Sequence, residues 1–458
     1  MSFTIIHPPP VSRVRAVTTE GSHIETVGRP IEASTVASGP GARDNLRELT
    51  IESMPFTQVP AISELLRQGM SHLEQLRVEL RTLETGHDTR PLPTFELPPA
   101  KYPALRSIAL ENSASLIAPS LASHLWRLDM RSGPGFTHRL PLAPFLDCIS
   151  SFKCLEELVL SNCFSPPADG HRHTPRSILA KSRIIELSLE DHPATVSQIL
   201  SSMILPSNGK VRLIGDLRGI SSPRKCFAAF TAMFPNDRRH LPILQRLARV
   251  DVYHAPEACY IMAKSESEDL FDLEHITDAL HNPSFKPLRG ELFELMVHGI
   301  RDIFPDSPIE RLSFAGDVGY VPRATWIACL SQFPRLHELV VDDIDLRASP
   351  EEVIAALHTT TTISATSDPR PICSVLESLE LFGDLPSFKF LETIHKCLAW
   401  RKEQVSKAPL LRNLRLSLYS DTAVPNMLLT RYTGELYKLA DKRRIEVIVQ
   451  MKARSRYA

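Results

Sequence analysis

Apolar positions along this chain recur in short words of the form L-x-x-L-x-L, and the clearest copy is Leu155-Glu-Glu-Leu158-Val-Leu160-Ser-Asn-Cys163. The last two leucines of each word are separated by one side chain free to be polar, which is the two-residue period of a strand buried on one face. Looser copies stand at Leu46/Leu49/Ile51, Leu73/Leu76/Val78, Leu105/Ile108/Leu110, Leu125/Leu128/Met130 and Ile184/Leu187/Leu189. A weak copy at Val211/Leu213 precedes Leu247/Val250/Val252, Ile309/Leu312/Phe314, Leu336/Leu339/Val341, Leu376/Leu379/Leu381 and Leu411/Leu414/Leu416. The alternation Ile445/Val447/Val449 reads as a closing strand.

Between the words the apolar period lengthens to that of a helix, over 60–68, 142–154, 194–204, 224–234, 324–333, 350–358, 388–403 and 426–444. Ser349-Pro350-Glu-Glu shows the start signal that several of them carry. Successive words begin 27 residues apart at Leu46 and Leu73 and 29 apart at Leu155 and Ile184, the length of a strand plus a return helix. The gap of 62 residues between Leu247 and Ile309 is too wide for one unit, so a degenerate repeat or an insertion is expected over about 254–305. The predicted fold is α/β: a leucine-rich-repeat solenoid of irregular repeats over 45–450, a curved horseshoe with a parallel inner sheet and helices outside.

One such unit cannot stand alone. Three core leucines supply roughly 6 kcal/mol of transfer free energy, whereas fixing about 30 residues costs roughly 1 to 2 kcal/mol each in backbone entropy. Stacking against neighbours has to supply the missing burial.

Composition adds the compartment and excludes some classes of partner. The 458 residues are 43% hydrophobic and 23% charged, a balance that excludes wholesale disorder. With 52 Lys plus Arg against 53 Asp plus Glu, no overall charge draws the chain to nucleic acid or an anionic membrane. No stretch approaches the roughly 18 apolar residues of a spanning helix. The eight cysteines form no C-x-x-C pair and mostly sit in apolar segments, which points to a reducing cytoplasm or nucleus. Residues 1–44, with Pro8-Pro9-Pro10, Pro30 and Pro40, read as a flexible leader, and deleting residues 1–40 should leave the repeats nearly as stable. Residues 451–458 read as a basic tail.

The words L-E-E-L-V-L-S-N-C, L-H-E-L-V-V-D-D-I and L-E-S-L-E-L-F-G-D, with lead-ins such as Pro103-Ala-Leu105 and Pro334-Arg-Leu336, resemble the irregular repeats of fungal F-box/leucine-rich-repeat proteins. That resemblance covers roughly 45–450. It implies a substrate receptor of a ubiquitin ligase, in which the repeats take the substrate and an F-box docks on a Skp-type adaptor. An F-box is not evident in residues 1–44, so a Skp-type adaptor is expected only if an F-box lies upstream.

Candidate chemistry is thin. His171-Arg-His173 lacks further metal ligands at a defined spacing, and Asp342-Asp343-Ile-Asp345 and Glu266-x-Glu268-Asp269 lack the turn glycine and final carboxylate of a calcium loop. Gly133-Pro-Gly135 and Gly39-Pro-Gly41 lack a phosphate-loop lysine, and no nucleophile elbow frames a serine. No catalytic residue, cofactor or metal is assigned.

The word itself is more informative, because its third, fifth and seventh positions point away from the core. Reading them off gives twelve acids, among them Asp129, Glu157, Glu186, Glu190, Glu338 and Asp342, against six arginines. These six acids are the predicted protein-binding positions on a mildly acidic inner face. The expected function is a non-catalytic protein-interaction scaffold, receptor-like, for a basic or mixed-charge protein ligand, with no membrane and no nucleic acid. The alternative is a solenoid that regulates or inhibits another enzyme, in the manner of a GTPase-activating or ribonuclease-inhibitor protein.

Overall fold

A computed structural model describes residues 12–28, 45–81, 90–133, 136–165, 180–181, 183–217, 223–254, 259–266, 268–276, 286–344, 349–361, 370–385, 387–404, 411–420, 426–438 and 445–451. The fold is mixed α/β with mostly parallel sheet, and the chain divides into two compact units. One comprises Met1–Ile214 with Met233–Pro242, the other Gly215–Ala232 with Ile243–Ala458.

The first unit opens on a hairpin, β1 (Arg13–Thr18) and β2 (His23–Val27), and continues through β3 (Leu46–Met54), β4 (Gln75–Leu80), β5 (Ser107–Glu111), β6 (Arg127–Arg131), β7 (Glu157–Ser161), β8 (Glu186–Asp191) and β9 (Lys210–Asp216). From β3 to β8 each strand pairs in parallel with the next, and the words are in register: Leu128, Leu158 and Leu187 are direct neighbours. The residue at the entry to each strand ties the stack together by backbone bonds. The N–H groups of Arg106, Trp126, Glu156, Ile185 and Lys210 donate in turn to the carbonyls of Glu74, Arg106, Trp126, Glu156 and Ile185, at 2.7 to 2.9 Å. The word leucines form the core, with Leu155, Leu158 and Leu160 all 2% exposed or less.

The hairpin corrects the reading of residues 1–44 as a flexible leader. Strand β1 pairs antiparallel with β2 and with β3, setting Val14 beside Ile51 and Ala16 beside Leu49. Both Val14 and Ala16 are buried, so they extend the apolar layer past its first word. The proline-rich parts of the leader, with Pro8 to Pro10, Pro30 and Pro40, lie outside the described residues.

In the second unit, β10 (Arg249–His254) pairs in parallel with β13 (Arg311–Gly316), followed by β14 (Glu338–Asp343), β15 (Ser378–Asp384), β16 (Asn413–Ser420) and β17 (Ile445–Met451). The same lead-in ladder recurs: Glu310, His337, Glu377 and Arg412 donate to Ala248, Glu310, His337 and Glu377 at 2.7 to 2.8 Å. Over 254–305, where a degenerate repeat or insertion is expected, the chain turns back on itself. There β11 (Cys259–Lys264) runs antiparallel beside β10, β12 (Asp269–Ile276) runs antiparallel beside β11, and the helix Lys286–Ile303 follows. Helices cover the apolar side of this sheet. Phe314 meets Trp326 of the helix Arg323–Leu330 edge-on at 5.1 Å, and a Cβ on Gly316 would come within 2.7 Å of Phe293, so that glycine permits the close approach.

Arg401, on the helix Phe388–Gln404, closes the turn beneath that layer. Its guanidinium donates to the carbonyls of Leu357 (3.2 Å), Ile372 (2.7 Å) and Cys373 (2.6 Å). Replacing it by Met would strand those acceptors, and Arg401→Met is expected to cost about 2 to 3 kcal/mol. Urea denaturation of the variant checks this, and a midpoint shift worth under about 0.5 kcal/mol would refute it.

Of the seven cysteines whose side chains the structure describes only Cys154 is exposed, and all seven are unbridged. Burial pushes Cys148 and Cys397 up to about 11 and Cys373 up to about 12. Labelling of the native protein with a maleimide is therefore expected to modify Cys154 well before the other six. Mass mapping of the early adduct tests it. Among the described residues no helix is long and apolar enough to cross a membrane.

Candidate functional site

Alternation along β3 to β8 puts every second side chain of the first unit on the face opposite the core. The parallel register then sorts these side chains into rows that cross the strands. One row runs Glu48, Gln75, Ser107, Arg127, Glu157, Glu186, and the next runs Thr50, Arg77, Ala109, Asp129, Val159, Ser188. A third joins Glu79, Glu111, Arg131, Ser161 and Glu190. The small side chains Ser107 and Ala109 leave a depression of about 460 Å³, whose charged lining is Glu48, Glu111 and Asp129 with Arg77, Arg127 and Arg131.

Those charges are organised around Asp129. Arg131 reaches it with Nε at 2.8 Å and Nη2 at 3.1 Å, and Arg127 holds it at 3.3 Å while gripping Glu157 at 3.1 Å. Asp129 is only 7% exposed, so these pairs are partly shielded from water. Burial, and next the charge of Glu79, raises Glu111. Glu157 is raised by burial too, an effect that Arg127 opposes and Glu186 reinforces. Glu190 is held at one end of the face by Ser161 Oγ (2.8 Å) and Asn162 Nδ2 (2.8 Å). Asn162 itself stands at φ 53°, a left-handed conformation that asparagine tolerates.

In the second unit Glu338 and Asp342 lie two positions apart from Val340 on β14, on the face away from the core. Glu338 pairs with Arg311 at 3.0 Å, and burial raises both acids. Further along, Arg415 bridges Glu380 (3.9 Å) and Glu446 (3.1 Å) and lies over the ring of Phe382 at 5.5 Å. Arg249 holds Asp251 at 2.9 Å.

All six predicted positions thus lie on strand faces, four in the first unit and two in the second. Asp129 and Glu157 are joined through Arg127, while Glu157 and Glu186 are direct cross-strand neighbours. The expected acidic face needs revision. Arginines neutralise much of it locally, the depression carries three acids and three arginines, and Lys210 and Arg212 add exposed bases on β9. One signal was available: Arg127-Leu-Asp129-Met-Arg131 and Arg249-Val-Asp251 alternate opposite charges at the strand period, so each partner must share a face. His171 and His173 lie outside the described residues, as does Asp345. Among the described residues no group of three or more His, Cys, Asp or Glu is placed to hold a metal.

Compared with known proteins, the chain matches no family model and no curated protein.

Proposed function

We propose that this chain is a non-catalytic protein-interaction scaffold of the leucine-rich-repeat kind, each unit a stack of strand-and-return repeats whose strand faces receive a mixed-charge or basic protein ligand. The observation that carries the reading is the row structure. Parallel strands in one register convert scattered sequence positions into ordered lines of Arg–carboxylate pairs around a depression built only from strand residues. Such lines offer a partner both hydrogen bonds and charge at fixed spacing, which confers register and selectivity more than raw affinity. The resemblance to F-box receptors supports a substrate-receptor role, with docking on a Skp-type adaptor only if an F-box lies upstream, since that activity belongs to the F-box and not to the repeats.

The test is affinity purification with the full chain and with the triple variant Glu157→Lys, Glu186→Lys, Glu190→Lys. The three side chains lie on the face away from the core, so the variant should keep its circular dichroism spectrum while losing the Glu157–Arg127 pair, worth at most about 1 kcal/mol, and the bonds that Ser161 and Asn162 donate to Glu190. Basic partners recovered by the wild type should be lost from the variant. Equal recovery by both proteins would remove this face from the proposal.

Capture should also depend on pH in a defined sense. Glu111 and Glu157 have raised folded values, so their charge is complete only above those values and fades as pH falls through them. Retention of a basic partner is therefore expected to weaken on acidification before ordinary surface carboxylates titrate. Retention that held constant down to pH 4 would contradict this.

A further inference from the structure

On the second unit's strand face lies a feature that the proposed function does not use. Tyr253 of β10 and Tyr260 of β11 face each other across the antiparallel pair, their rings stacked at 4.7 Å with 17° between planes. Both are half-buried, so one side of the stack is open to solvent. The register extends the row in both directions: Glu274 lies beside Tyr260, and Ala315, Asp342 and Phe382 follow Tyr253. From Glu274 to Phe382 the row carries three rings and two acids and no basic residue. Asp272 and Asp251, the latter paired with Arg249 at 2.9 Å, stand in the adjacent row, and the charges of Asp251, Asp272 and Glu274 all reach the Tyr260 hydroxyl, which burial already holds above its ordinary value.

Taking the reading of the chain as a protein-binding scaffold as given, we infer that the Tyr253–Tyr260 stack is a docking point for an arginine or lysine side chain of a protein partner. The ring faces carry negative quadrupole, and acids around them raise the local concentration of a cation. Ala315, the smallest side chain on the line, stands between Tyr253 and Asp342, where the stem of the incoming residue would lie. The protein already makes this contact once within itself, where Arg415 lies 5.5 Å above Phe382 in the same row. The same acids disfavour the phosphates of a single-stranded nucleic acid, which would otherwise stack on the tyrosines.

Hexa-arginine and octa-uridylate are the two probes, titrated against the full chain by fluorescence anisotropy at low salt. Hexa-arginine is expected to bind, and Tyr253→Ala with Tyr260→Ala to weaken it roughly three- to thirtyfold, the range a cation–ring contact spans. The double phenylalanine variant, which keeps both rings, should bind within about twofold of wild type. Equal weakening by the phenylalanine variant would mean the hydroxyls carry the contact, and would overturn the inference. So would tighter binding of octa-uridylate, or no binding of hexa-arginine. A third variant separates this inference from the scaffold reading: if Glu157→Lys, Glu186→Lys, Glu190→Lys abolishes hexa-arginine binding while the alanine pair leaves it intact, the scaffold reading stands and the tyrosine site falls.

Discussion

Replacing Leu158 by Asp is expected to unfold the first unit. Leu158 is 1% exposed and lies in register between Leu128 and Leu187, so the new carboxylate would sit in the middle of the shared apolar layer with no partner. A buried unpaired charge costs about 3 to 5 kcal/mol, and removal of the leucine side chain adds about 2 kcal/mol more. The sum is comparable with the whole stability of a domain. The control is one residue away: Glu157→Gln, on the opposite face, should lose only the pair with Arg127, at most about 1 kcal/mol. Circular dichroism and urea titration of both variants decide the matter. If Leu158→Asp were no more destabilised than Glu157→Gln, the two faces of the strand would have been assigned the wrong way round.

Removal of residues 1–28 is expected to be the next most damaging change. The deletion takes away the antiparallel pairing on β3 and the burial of Val14 and Ala16, worth together about 3 kcal/mol of apolar transfer. It also uncovers the flanks of Leu49 and Ile51 and leaves a long strand edge without a partner, which invites association between copies. A shift of about 3 kcal/mol in a unit of this size lowers the melting temperature by roughly 6 to 12 °C. Differential scanning calorimetry with light scattering tests both parts. A deletion that melted with the full-length protein and remained monodisperse would restore the reading of residues 1–44 as a dispensable leader.

That deletion also shows where sequence reasoning stops. Strand words such as Leu155/Leu158/Leu160 were legible because each one satisfies a local condition, apolar side chains at the strand period beside a helical return. Val14 and Ala16 belong to no word, and their segment sits among prolines and glycines. Pairing with its hairpin neighbour and with a strand about thirty residues further on makes Arg13–Thr18 a strand. Likewise Tyr253 and Tyr260 are unremarkable seven positions apart in sequence, and the antiparallel turn of the chain brings their rings together.

The candidate face divides in the same way. From the sequence alone came the parity of the strand positions, hence that Asp129, Glu157, Glu186, Glu190, Glu338 and Asp342 all turn away from the core, because alternation is a property of a single strand. Which charges meet is a property of register between strands. The count of acids over bases suggested a mildly acidic face, but Arg127 lies beside Glu157 and Arg311 beside Glu338 only because neighbouring strands align word to word. Local periodicity therefore determined the elements and their buried faces, whereas the tertiary pairing decided the hairpin at the start, the antiparallel excursion over β11 and β12, and the pattern of neutralised and open charge. The physical reason is that burial period is encoded within a few residues, while charge pairing at 3 Å depends on which distant strand comes to lie 4.8 Å away.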